Sequence, residues 1–132
     1  MNTFNGVELR MRKIDSDPET FVINEDTFNS CKNLIYDCVS AMITPEDNTP
    51  DTVIVVGLAC TSMSFIIGSD SVDDILKRVC PSARTTNMCR TQLNAIKELN
   101  LSTVSLLTPY IDSIATSNAK ILSTVTQVVK HR

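Results

Sequence analysis

Tryptophan is absent, aromatic residues make up only 5% of the chain, and the one histidine, His131, sits at the very end. No two cysteines stand at CxxC spacing and no Cys/His cluster occurs, so zinc is not expected. Lys and Arg are scattered along a chain of net charge −3. Without a basic stripe or stacking aromatics, nucleic-acid binding has no support. Uninterrupted apolar runs fall far short of the ~20 residues a membrane helix needs, so no membrane association is expected. The first residues, MNTFNGVELR, lack a basic region followed by an apolar one, so they do not read as a secretory signal. The cysteine count is odd, with Cys31, Cys38, Cys60, Cys80 and Cys89. Free thiols in a reducing, cytoplasmic setting are the simplest explanation.

What is present describes an ordinary globular chain. Its 132 residues, 42% hydrophobic and 20% charged, suffice for one domain with a real core, taken as residues 1–132. Residues 7–14 alternate Val7, Leu9 and Met11 against Glu8, Arg10 and Arg12, predicting a strand with one polar face. Asp15–Thr20 reads as a loop. Phe28, Cys31, Leu34, Ile35, Cys38, Val39 and Met42 recur at helical spacing, predicting a helix over about 25–43 with Asn24 as its cap. Val53–Val56 is a continuous apolar, β-branched run, which predicts a strand over 53–59 covered on both faces. Ser71-Val-Asp-Asp reads as a capping signal for a helix that Pro81 stops. Ala83–Thr86 is a short strand, Asn87 caps a helix that Asn100 closes, and 103–107 is another buried strand. Ile111, Ile114, Ile121, Leu122, Val125 and Val128 predict an amphipathic helix running to near the terminus. The order β-α-β-α-β-α-β-α implies a parallel sheet with helices on its faces, joined by right-handed crossovers.

Ligands of open parallel sheets bind beyond the carboxyl ends of the strands. Cys60, Thr61 and Ser62 fall at such an end, in a tight turn after the buried strand. Tyr110 falls at another, after Thr108-Pro109. Each also has a plainer reading. Cys60 could be a small core residue, Thr61 and Ser62 could satisfy the turn's backbone groups, and Tyr110 could be a surface aromatic.

CTSMSF after a strand (60–65), then CPSARTTNMCRTQLNAIKELN (80–100), then VSLLTPYIDSI (104–114), resembles the Asp/Glu racemase superfamily. The similarity is strongest to its maleate cis-trans isomerase and arylmalonate decarboxylase branch, and it covers roughly residues 7–122. Three elements in the right order make the combination fairly specific. The resemblance implies a three-layer αβα fold with a mainly parallel sheet, the flavodoxin-like half of a racemase-type fold. It implies cofactor-independent chemistry on a small carboxylate or dicarboxylate. Cys60 matches the family's first catalytic cysteine, a nucleophile in isomerases and an acid/base thiol in racemases. Thr61 and Ser62 match residues that hold a substrate carboxylate, and Tyr110 matches the tyrosine that reaches the same group.

The match is to the family's first half. The family's second cysteine has no counterpart here, and Cys80 and Cys89 read as structural. Residues 7–14 match the family's second strand, so one central strand is missing. The strand at 103–107 or a homodimer could fill that gap. An alternative is therefore a truncated, catalytically inactive relative that acts as a carboxylate-binding or interaction module.

Overall fold

The computed structural model describes residues 2–4, 7–14, 25–48 and 53–131. The expected loop at Asp15–Thr20 and the expected helix cap Asn24 lie outside them. The chain opens with a short antiparallel hairpin of β1 (Asn2–Phe4) and β2 (Val7–Leu9). The strand expected over 7–14 is thus three residues long, and Val7 and Leu9 are exposed. Arg10 continues from it, donating to the Met42 carbonyl at 3.0 Å and to Asp47 at 2.5 Å. Helix α1 (Glu25–Ser40) follows, then a single 3-10 turn at Pro45–Asn48.

Next come β3 (Val55–Leu58), α2 (Thr61–Ile67), α3 (Ser69–Val79), β4 (Arg84–Asn87) and α4 (Met88–Glu98). Then β5 (Thr103–Leu106), α5 (Asp112–Leu122) and β6 (Gln127–His131) complete the chain. β3 pairs in parallel with β4, and β5 pairs in parallel with β6. The mixed α/β architecture with parallel pairing is the one the sequence predicts.

Several expectations are corrected. The segment after Cys60 is a helix, α2, where a turn was expected. The terminal helix stops at Leu122, and Gln127–His131 is a strand. Thr126 and Val125 lie in the connection, and β-branched residues there and in Val128-Val129 suit a pleated strand better than a helix. Ser71 does not cap α3. That helix starts two residues earlier with Gly68 at its N-cap, where φ is 89°, a conformation open chiefly to glycine. The strand expected to be covered on both faces is covered on one. Val56 and Leu58 are buried, while Val53 is 78% and Val55 63% exposed. β5 does not stand in for a missing strand beside β3, because among the described residues its ladder is with β6.

Two apolar clusters hold these elements. The first joins Cys31, Ile35 and Val39 of α1 with Val56 and Leu58 of β3. It also takes Met63 and Ile67 of α2 and Val72, Ile75 and Leu76 of α3. The spacing of the α3 residues puts them on one helix face. The second cluster centres on Phe65, Cys89 and Leu122, with Leu93, Ile96, Leu106, Ile121 and Val128 packed around them. Helix α2 contributes to both and packs against α1, α3, α4 and α5.

Candidate functional site

The carboxyl ends of β3 and β4 lie side by side, since Leu58 pairs with Asn87. Gly57 permits the close approach one step earlier, where a Cβ would meet Thr86 Cγ2 at 3.0 Å. Past β3, Cys60 occupies the N-cap position of α2 in an extended conformation, φ −130° and ψ 112°. Its carbonyl accepts the Ser64 N–H at 3.1 Å. Its side chain does not cap the helix. The thiol instead rests 3.7 Å from Ser62 Oγ, a weak contact. Cys60 is half-buried, leaning on the first apolar cluster. The backbone N–H groups that open a helix have no acceptor within it, and Cys60 immediately precedes those of α2. Thr61 and Ser62 are half-buried at that same start.

Tyr110 is also half-buried and lies past the carboxyl end of β5. Its backbone N–H donates to Thr108 Oγ1 at 3.0 Å, a local turn that shapes the entry to α5. Among the described residues no hydrogen bond joins Tyr110 to Cys60, Thr61 or Ser62. The link between the two strand ends is the packing of α2 on α5. An open groove of about 630 Å³ lies elsewhere, lined by Lys32, Ser71, Asp74, Ile75, Lys77 and Arg78. Arg78 there stands 5.8 Å from the centre of the Tyr36 ring. None of the four sequence-derived site residues lines that groove. The geometry at Cys60 and not the groove's volume therefore defines the candidate site.

Three polar residues that support this strand end escaped the sequence reading as site elements. Ser64 is fully buried; its hydroxyl donates to the Thr61 carbonyl at 3.0 Å and accepts the Cys89 N–H at 3.1 Å. It thereby ties the start of α2 to the start of α4. Asn87, 1% exposed, caps α4 as expected, accepting the Arg90 N–H at 2.9 Å. Its amide also donates to the Ser69 carbonyl at 3.1 Å and to Asp73 at 3.1 Å, fixing the start of α3. Arg90 pairs with Asp70 at 2.7 Å and with Asp73 at 2.6 Å. Burial works against its charge, but these carboxylates outweigh it and raise its pKa. The signal for Ser64 was its place in CTSMSF, four residues after the thiol; its bond to Cys89 spans 25 positions and cannot be read locally.

The thiols fall into two groups. Cys60 and Cys38 are half-buried, while Cys31, Cys80 and Cys89 are at most 1% exposed. Burial pushes the Cys31 thiol above its ordinary pKa, and the charge of Cys60 pushes it further. Burial raises Cys89 too, against the opposing charge of Arg90. Iodoacetamide near neutral pH is therefore expected to modify Cys60 and Cys38 at least about tenfold faster than the other three, because only exposed thiolates react. Peptide masses after timed quenching check this, and equal labelling of Cys31 would refute it. The raised pKa values also set a pH dependence. The stability tied to keeping Cys31 and Cys89 neutral is fully present below the ordinary thiol pKa. It is lost as pH rises through their higher folded values.

Against known structures, this fold is similar to that of unliganded arylmalonate decarboxylase. The TM-score is 0.64 at 21% sequence identity, over 79% of this chain and 44% of that one. The chain therefore spans less than half the length of that protein. No family model and no curated protein matches the sequence. Among the described residues no helix is long and apolar enough to cross a membrane.

Proposed function

We propose that the chain is a cofactor-independent isomerase- or racemase-like protein acting on a small carboxylate through the Cys60 thiol. The observation that supports this most is a half-buried cysteine past the end of a parallel strand, at the N-cap of α2 with its side chain not capping the helix. The fold likeness agrees with it: arylmalonate decarboxylase, as its name states, acts on an arylmalonate. In this reading Thr61, Ser62 and Tyr110 hold the substrate carboxylate. Neutral donors aimed at that group stabilise the charge that builds up on it as the neighbouring carbon becomes anionic.

Maleate isomerisation is the chemistry that needs least. The thiolate adds to one alkene carbon, and the electron pair moves toward the adjacent carboxylate. Rotation about the new single bond follows. Expulsion of the thiolate restores the double bond as fumarate, and no proton or electron is gained or lost. Racemisation instead needs a second acid/base on the opposite face of the substrate. Incubation of the chain with maleate, aspartate and glutamate tests the proposal, with fumarate or the opposite enantiomer as the expected product.

A second reading, an inactive carboxylate-binding or interaction module, is favoured by the bare sheet face at Val53 and Val55 and by Leu107, 87% exposed past β5. Parallel sheets are ordinarily covered on both faces, and a second copy of the chain would supply the cover as a homodimer. Binding of the carboxylates without turnover supports this reading. A monomeric mass in solution, combined with protected, cooperatively unfolding sheet amides, removes the dimer.

A further inference from the structure

We propose that Cys31 is the resolving partner of Cys60, and that a hydroperoxide converts the pair into a Cys31–Cys60 disulfide that withdraws the reactive thiol. The inference rests on the reading of Cys60 as that thiol. Cys60 leans on the same apolar cluster that Cys31 helps to build. Helix α1, which carries Cys31, packs directly on α2, whose N-cap is Cys60. Burial, and after it the charge of Cys60, raises the Cys31 thiol, and the second effect is one of neighbouring groups.

The other cysteines are placed less well. Cys80 belongs to the same cluster, but it precedes β4, whose first residue pairs with Val55, so it lies at the opposite end of β3 from Cys60. Cys89 belongs to the second cluster, where its ionisation responds to Arg90 and Asp70. Cys38 sits close to the far end of α1, two turns beyond Cys31.

Cys60, half-buried, reacts first, because Cys31 is 1% exposed. The Cys60 thiolate takes one oxygen from the hydroperoxide; the O–O bond breaks, and the departing oxygen leaves as water or alcohol. The resulting sulfenic acid carries no charge, which removes the smaller of the two causes that raise the Cys31 thiol; burial, the larger, remains. The Cys31 sulfur then attacks the Cys60 sulfur. The S–S bond forms, the S–O bond breaks, and hydroxide leaves as water with the Cys31 proton. With hydrogen peroxide the sum is two thiols and one peroxide giving one disulfide and two waters. An external thiol reverses it by exchange.

The test uses the full chain treated with hydrogen peroxide, then alkylated while denatured and digested without reduction. The expected result is an intact chain two mass units lighter before alkylation, three alkylated thiols after it, and a linked peptide pair carrying Cys31 and Cys60. In Cys31→Ser the link vanishes, and Cys60 sulfenic acid captures a dione probe at least about fivefold more than in the parent chain. Cys31→Ala serves where the serine disturbs the core, and the mass of the unmodified chain needs no variant. Oxidation of Cys60 with Cys31 still fully alkylatable overturns the proposal, as does a link from Cys60 to Cys80, to Cys38, to Cys89 or to a second chain. The bridge and the activity fail separately. A bridge in a chain without turnover leaves this inference standing and removes the enzymatic reading; turnover without a bridge does the reverse.

Discussion

Cys60→Ser is expected to slow maleate turnover about 10⁴-fold. A free thiol ionises near ~8.5, while a hydroxyl ionises near the ~15.7 of bulk water. At neutral pH the serine side chain therefore offers about 10⁷-fold fewer anions. The more basic oxygen recovers part of that. With a nucleophilicity slope of ~0.4–0.5 per pKa unit it regains about 10³-fold. The difference leaves roughly four orders of magnitude, or between 5 and 6 kcal/mol at ~1.36 kcal/mol per factor of ten. The fold is expected to change little, because the thiol's polar contact with Ser62 is weak, it caps nothing, and it leans on the first cluster from a half-buried position. Fumarate formation followed by absorbance, beside a thermal melt of both proteins, measures the two effects separately. Turnover within tenfold of the parent would remove Cys60 as the nucleophile. A lower melting temperature by more than a few degrees would instead assign the thiol a packing role.

The position of Cys60 was legible because local rules fix it. A β-branched run announces β3, and the residues after it necessarily lie at the strand's carboxyl end. The Asn87 cap was legible for the same reason, since its partner is three residues away. So was the end of α4, where Asn100 takes a positive φ of 52°. Helix α2 was not legible. It is seven residues long, too short to be stable by propensity, and Thr61, Ser62 and Ser64 argue against a helix locally. It exists because four other helices and the Ser64–Cys89 bond hold it. The last strand was hidden by periodicity, since Val125 and Val128 fit a helix face as well as a pleat. The neighbourhood of Cys31 and Cys60 spans 29 positions of sequence and is a product of packing alone. Thr61 and Ser62 stand beside the thiol because they are its chain neighbours. In the proposed reading, bringing Tyr110 to the same carboxylate depends on how α5 seats on α2, which no local pattern encodes.

That seating depends on Phe65, and Phe65→Ala is expected to destabilise the chain by about 3–5 kcal/mol, the range for emptying a buried aromatic site. Phe65 is 2% exposed and is the α2 residue at the centre of the second cluster, with Cys89 and Leu122. On the same helix, Met63 and Ile67 point into the first cluster. A domain of this size has ~5–15 kcal/mol of stability in all, so the loss lowers the melting temperature by roughly 10–20 °C. The consequences are also directional. Hydrogen exchange is expected to accelerate first in β5, β6 and α5, whose apolar contacts Phe65 supplies, while β3, β4 and α3 keep theirs. Met63→Ala is expected to invert the pattern, loosening the β3 side with β5 and β6 less affected. Denaturant unfolding gives the magnitude, and amide exchange by mass spectrometry gives the direction. A loss below about 1 kcal/mol, or uniform acceleration in both variants, would mean that α2 is not the wall between two cores.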